Sequence, residues 1–173
     1  MGYEPRKNIP LLIEAFSQLE TSFGGINLVL VVAEAESRNR FRSLVTDRYL
    51  DDRVIILAEL PPKTLVVLYN LAELFVFTSE RESFGLPPLE ALACGAPTIA
   101  MNMTSLPEVL GDGALLIDGK DVGTWANAIE RVLTDNDFRK DSVSRGLQQA
   151  AKLTWQRCAQ ETLEVYHAVA EES

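Results

Sequence analysis

LFVFTSERESFGLPPLEALACGAPTIAM, residues 74–101, is the stretch whose reading decides the fold. An apolar run, Leu74–Phe77, breaks into a polar loop. Pro87 then stands where a first helical residue belongs and Gly95 where a helix stops. A second apolar run, Ala96–Met101, follows. The spacing predicts a strand, a loop, a helix over Pro87–Cys94 and a second strand. The same alternation extends outward. Asn27–Ala33 (NLVLVVA) and Arg53–Leu57 (RVIIL) read as apolar strands, and Ala114–Ile117 as a short one. Ile9, Leu12, Ile13, Phe16 and Leu19 recur at helical spacing, and helices are predicted over 37–50 and 63–71. From about Asp121 the chain reads as helical. Strands apolar along their whole length, alternating with helices, predict a parallel sheet covered on both faces. The expected fold class is α/β: a doubly wound, Rossmann-like parallel sheet in a single domain with C-terminal helices. Ligands in such sheets bind beyond the carboxyl ends of the strands. That directs attention to the loops after Ala33, Leu57, Phe77 and Met101.

Composition narrows the function classes. At 173 residues with 47% hydrophobic content, the chain can bury one sizeable core. No run approaches the roughly 20 apolar residues of a membrane span, and MGYEPRKN has no apolar stretch to serve as a secretory signal. Two cysteines, Cys94 and Cys158, point to a reducing, cytoplasmic setting and not to a disulfide framework. A net charge of -9 argues against a nucleic-acid partner, although a phosphate site needs only local donors. No cysteine–histidine cluster indicates a metal. His167, the single histidine, is expected to be exposed. The final helix carries an apolar stripe through Trp155, Leu163, Tyr166 and Val169, with Thr154 as N-cap. Trp155 is expected to pack on the domain, and the end near Tyr166–Ala170 to be looser or to form a dimer contact.

The loop after Phe77 is the candidate site. The amides of the Ser83–Leu86 turn lie ahead of a helix N-terminus, an arrangement suited to an anion. Gly85 allows close approach of a ligand to the backbone. Glu82 in the loop and Glu90 on the first turn of the helix place a carboxylate on either side, and ionised carboxylates accept hydrogen bonds from hydroxyl-rich ligands. From spacing alone, Glu90 reads equally as a residue serving the helix dipole and Glu82 as solvated. Arg6-Lys7 opens the first helix with the wrong sign for its dipole, which hints at another use. Ser105-Leu106-Pro107-Glu108 reads as a capping box.

Glu82 and Glu90, separated by SFGLPPL, resemble the E-x7-E motif of retaining glycosyltransferases of family four, also called group 1, which have the GT-B architecture. EPRKNIPLLIEAF, DDRVIIL, LYNLAELFVFTS, LEALACGAPTIA and SLPEVLGDGALLID resemble successive blocks of that family in the same order, across nearly the whole chain. The resemblance implies that residues 1–173 are the C-terminal nucleotide-sugar-binding domain, without the N-terminal acceptor domain and without the leading strand of the sheet. It implies a nucleoside-diphosphate sugar donor and retaining hexosyl transfer, mannosyl included, to a saccharide or lipid-linked acceptor. Departure of the diphosphate is expected to need no metal or other cofactor. Glu90 would hold the ribose hydroxyls and Glu82 the hexose. Lys7 would bind the diphosphate. Phe84, Gly85 and Leu86 would present amides, and Arg6, Ser105 and Leu106 would add contacts. The chain alone is expected to be inactive, and the missing half to supply acceptor binding and any peripheral membrane association. Two other readings compete: an isolated, non-catalytic nucleotide-sugar-binding or interaction module, and a sugar phosphorylase or nucleotide-sugar epimerase on the same architecture.

The chain also departs from the family. Where the family has glycine-bearing turns after the first two strands, VVAEAES and Ala58-Glu59 stand here. Glu34, Glu36 and Glu59 thus add negative charge where a dianionic ligand would approach.

Overall fold

The computed structural model describes residues 5–19 and 25–171. A 3-10 turn at Pro5–Lys7 leads into α1 (Ile9–Ser17). β1 (Leu28–Val31), α2 (Ala35–Thr46), β2 (Val54–Leu57) and α3 (Pro62–Leu71) follow. Next come β3 (Phe75–Phe77), α4 (Leu86–Ala93), β4 (Thr98–Met101), α5 (Leu106–Leu110) and β5 (Leu115–Ile117). α6 (Val122–Thr134), α7 (Asn136–Ala150) and α8 (Trp155–Glu171) close the chain. All pairing is parallel, as the alternation of apolar strands with helices predicts.

The single expected sheet is divided. β1 pairs with β2, and β3–β4–β5 form a separate sheet. No described strand pairs the edge of β1 away from β2, or the edge of β3 away from β4. The expected absence of a leading strand concerns residues before Pro5, and Met1–Glu4 lie outside the described residues. One apolar core nevertheless joins the two sheets. Leu12, Ile13 and Phe16 of α1 pack with Leu30 of β1, Val54 of β2, Ile99 and Met101 of β4, and Trp125 of α6. On the opposite face of β4, Ala100 meets Leu89 and Leu92 of α4 and Leu106, Val109 and Leu110 of α5. Strand alternation thus sends Ile99 and Met101 to one core and Ala100 to the other.

Coverage on both faces holds for the β3–β5 sheet but not for the other. Val29, Val31 and Ile55 are exposed. α3 docks through Tyr69, which lies edge-on to Phe75 of β3. α7 fastens α4 and α5. Gly146 lies so close to Leu92 that a Cβ there would come within 2.8 Å of its Cδ2, and Gln149 Nε2 donates to the Val109 carbonyl at 2.8 Å. Thr154 caps α8 by accepting from the Arg157 amide, as expected. Trp155, by contrast, is 76% exposed and does not pack on the domain. The α8 residues, His167 among them, are exposed along the whole helix, because no other described element approaches it closely enough to bury a side chain.

Trp125 is fully buried and its Nε1 donates to the Gly119 carbonyl at 3.1 Å. Trp125→Ala should lower stability by about 3–5 kcal/mol, read as a shift in the denaturant midpoint at constant slope. A loss under about 1 kcal/mol would show that α6 is not held by this core.

Candidate functional site

The segment Arg6–Asn8 runs beside the loop that leaves β3, and backbone and side chains join the two. The Glu80 amide donates to the Arg6 carbonyl at 2.8 Å. Thr78 Oγ1 donates to the Lys7 carbonyl at 2.7 Å. Asn8 Nδ2 donates to the Thr78 carbonyl at 3.2 Å and to Glu80 Oε1 at 2.7 Å. Asn8 adopts φ 48°, a left-handed conformation that asparagine tolerates better than most residues. These contacts fix the main chain of Lys7 at the carboxyl end of β3, with its side chain exposed.

Glu82 sits at the end of this seam, its side chain only 18% exposed. Arg6 Nη1 donates to Glu82 Oε1 at 3.1 Å and to the Arg81 carbonyl at 2.6 Å. The hydroxyl of Ser79, itself 1% exposed, donates to the same oxygen at 2.8 Å. The Glu82 amide donates to Thr104 Oγ1, and Ser105 Oγ donates to the Glu82 carbonyl, both at 3.2 Å. The solvated reading of Glu82 is therefore wrong. The capping box at Ser105 is also corrected. Ser105 is helical (φ -82°, ψ -14°) and caps no amide of α5, because its hydroxyl is turned to Glu82.

Beyond Glu82 the chain turns at Gly85, which caps α4 in the left-handed region with φ 88°. The helix therefore starts at Leu86, one residue earlier than predicted, and Pro87 and Pro88 occupy its second and third positions. Neither proline has an N–H. The amides of Ser83, Phe84, Gly85 and Leu86 donate to no described residue. They form a short row of free donors at the positive end of α4. Phe84 and Leu86 are 41% and 44% exposed, whereas Leu106 is fully buried against Gly85.

Glu90 is the fifth residue of α4 and so opens its second turn, not its first. It is exposed, and Tyr69 OH donates to its Oε2 at 3.2 Å. Burial, and then the charge and hydrogen bond of Glu90, push the Tyr69 phenol well up, so it remains a donor. Burial and then Glu90 likewise push the Cys94 thiol up, which leaves it a poor nucleophile. The structure thus gathers Arg6, Glu82, Gly85, Ser105 and Leu106 into one contiguous group, with the Lys7 main chain in the same seam. Glu90 stands on the helix behind the turn. Sequence reasoning missed Tyr69, Ser79 and Thr104. Tyr69 lies within the LYNLAELFVFTS block and Ser79 beside the motif, but nothing local assigns either side chain a partner.

After β1, Glu34 Oε2 accepts from Ser37 Oγ at 2.6 Å, and Arg38 Nη1 donates to the Val32 carbonyl at 2.9 Å. A polar turn of side chains thus replaces the expected glycine. Among the described residues, no group of three or more acidic, histidine or cysteine side chains could hold a metal ion. No helix among them is long and apolar enough to cross a membrane.

A Cβ at Gly85 would come within 2.5 Å of Leu106 Cδ2. Gly85→Ala combines left-handed strain of about 1–2 kcal/mol with overpacking of about 1–3 kcal/mol. It should lower stability by roughly 2–5 kcal/mol. Leu106→Ala in the same chain should return part of that loss, a coupling read from a double-mutant cycle. Strict additivity would show that the two residues do not touch.

Residues 2–149 match the family model described as glycosyl transferases group 1. The chain is 37% identical over 165 residues to the O-antigen chain mannosyltransferase B of Escherichia coli, a match covering 94% of this chain and 43% of that protein. It is 36% identical over 170 residues to the serotype-specific mannosyltransferase WbdA of the same organism, covering 90% of this chain and 20% of the relative. Among solved structures, sucrose-phosphate synthase from Thermosynechococcus elongatus superposes with a TM-score of 0.87 at 29% identity, over 98% of this chain and 44% of that one. Anabaena HepE, solved in complex with UDP-glucose, gives 0.85 at 22% identity over 96% of this chain and 46% of its own. The chain thus spans less than half the length of each of these proteins, and over that span it belongs to the group 1 glycosyl transferases.

Proposed function

We propose that this chain is the donor-binding domain of a retaining glycosyltransferase that uses a nucleoside-diphosphate hexose. One observation carries the reading: the free amides of Ser83–Leu86 open at the head of α4, directly beside a Glu82 whose amide, carbonyl and Oε1 are all held. The amides and Lys7 would meet the diphosphate and stabilise the charge that grows on it as the glycosidic bond to the sugar breaks. Glu82 would accept from hexose hydroxyls and orient the sugar. Glu90 would accept from the ribose pair, its exposed carboxylate keeping acceptor capacity beside the Tyr69 bond. In this reading the leaving group departs without a metal. The mannosyltransferases among the relatives support a hexosyl donor, and a neighbour solved with UDP-glucose supports a nucleotide-sugar. The acceptor would bind to a further domain, a reading supported by relatives more than twice this chain's length. The 173-residue chain by itself should therefore transfer no sugar at a measurable rate.

Glu90→Gln tests the ribose assignment. The amide keeps an oxygen for Tyr69 but loses the charge, and hydrogen bonds to a charged acceptor are worth more than neutral ones. Nucleoside-diphosphate affinity should fall about five- to thirty-fold, roughly 1–2 kcal/mol, with thermal stability unchanged. Calorimetry with a 2′,3′-dideoxyribose analogue is the control: the native chain should bind it about as weakly as the variant binds the normal nucleotide. A variant that still discriminates the two as strongly as the native chain would refute the assignment.

A further inference from the structure

Thr104 and Ser105 both depart from what their local sequence favours, and both departures lead to Glu82. Thr104 has φ 52°. A β-branched residue is a genuine outlier in that region, because its Cβ crowds the following carbonyl. The Leu106 amide donates to the Met103 carbonyl at 3.1 Å, which makes Thr104 the first central residue of a turn. Ser105, at φ -82° and ψ -14°, is the second. A positive φ followed by these angles has the signs of a type II′ turn, whose first central position ordinarily takes glycine. Threonine occupies it here, and its Oγ1 accepts the Glu82 amide. Ser105 abandons the cap of α5, and its hydroxyl donates to the Glu82 carbonyl. Neighbouring hydroxyls thus grip the N–H and the C=O of one residue, twenty-two positions away in sequence from Thr104.

We propose that Thr104 and Ser105 are positioning residues: a hydroxyl clamp that fixes the main chain of Glu82, so that Ser79 and Arg6 need only orient its carboxylate. The functional consequence rests on the donor-binding reading given above. The clamp sets the sugar subsite and leaves the nucleotide subsite, which uses Glu90 on α4, untouched. Strain held at a site is retained when the surroundings over-determine it, and here the return is the fixed acceptor.

Two variants separate the clamp from mere turn structure. Thr104→Gly removes the hydroxyl and relieves the backbone, so the melting temperature should hold or rise. Thr104→Ser keeps the hydroxyl. In the ligand-free chain, amide hydrogen exchange at Glu82 should accelerate at least ten-fold in Thr104→Gly and stay within about three-fold of native in Thr104→Ser. Calorimetry with UDP-glucose against UDP, and GDP-mannose against GDP, reads the second step. For the pair the native chain binds, the affinity gained from the sugar should drop five- to ten-fold in Thr104→Gly. Affinity for the bare nucleotide should stay within two-fold, and Thr104→Ser should restore the difference. Unchanged exchange at Glu82 in Thr104→Gly overturns the clamp. Equal weakening of nucleotide and nucleotide-sugar overturns its assignment to the sugar subsite. A native chain that binds none of the four probes, yet shows the expected exchange pattern, removes the donor reading and leaves the clamp standing.

Discussion

The seam between Arg6–Asn8 and Thr78–Glu82 is the constraint on which the rest depends. The two sheets share no strand hydrogen bond among the described residues, so nothing in the ladders fixes one against the other. What joins them is the apolar core beneath α1 and this polar seam at its start. The partners lie about seventy residues apart in sequence. A typical hydrogen bond nets only about 1 kcal/mol, but a buried group left without a partner costs about 1–3 kcal/mol. The seam therefore acts chiefly by penalising any other placement. It aligns the start of α1 with the carboxyl end of β3, which is where ligands bind in open parallel sheets.

The two glutamates of the motif are prepared differently, and that difference carries chemical meaning. Glu82 accepts from Arg6 and Ser79 on one carboxylate oxygen while its amide and carbonyl are also engaged. Glu90 has one tyrosine on an exposed helix face. An acceptor fixed in advance needs no reorganisation when a ligand arrives, whereas an exposed side chain can adjust to it. Pairing Glu82 with Arg6 also tempers its charge. Like charges 4 Å apart repel by about 4 kcal/mol at an effective dielectric of 20. A bare carboxylate beside a diphosphate would pay that in full; a carboxylate already sharing an arginine does not. In a chain of net charge -9, this local cancellation matters more than the overall balance.

How much of this was legible from sequence depends on the range of the interactions involved. The order of strands and helices followed from periodicity and from Pro87, Pro88 and Gly95, all of which act within a few residues. α4 began one residue early because Gly85, not Pro87, sets its start. The family pattern brought Glu82, Gly85, Ser105 and Leu106 to notice, and they do lie together. The partners of Glu82 were not legible. Ser105 satisfies a capping-box pattern, yet its hydroxyl goes to a carbonyl twenty-three residues away. Local propensity favours the cap, and the tertiary acceptor wins. Trp155 has the size and spacing of a core anchor, but whether a helix finds a surface is decided by the other elements, which leave α8 uncovered. Division of the sheet was equally invisible, since a strand's apolar character does not name its neighbour.

Backbone strain supplies an independent indication of where the fold yields to function. Among the described residues, Asn8, Tyr49 and Thr104 have positive φ without being glycine. Tyr49 is accounted for locally. Its amide donates to the Thr46 carbonyl and the Leu50 amide to that of Val45, the paired bonds of a Schellman ending to α2, where a left-handed residue is the norm. Asn8 is accounted for by its amide side chain, which bonds to Thr78 and Glu80. Thr104 has neither a helix ending nor a suitable side-chain amide. It is β-branched, and among the described residues its hydroxyl has one partner, the Glu82 amide from which it accepts. Left-handed geometry costs such a residue roughly 1–2 kcal/mol, a sizeable part of the 5–15 kcal/mol that usually separates folded from unfolded states. Two of the three positions thus lie on the segments that surround Glu82, and the β-branched one touches Glu82 itself. A fold selected for stability alone would place glycine there; the threonine is intelligible only through the residue it holds.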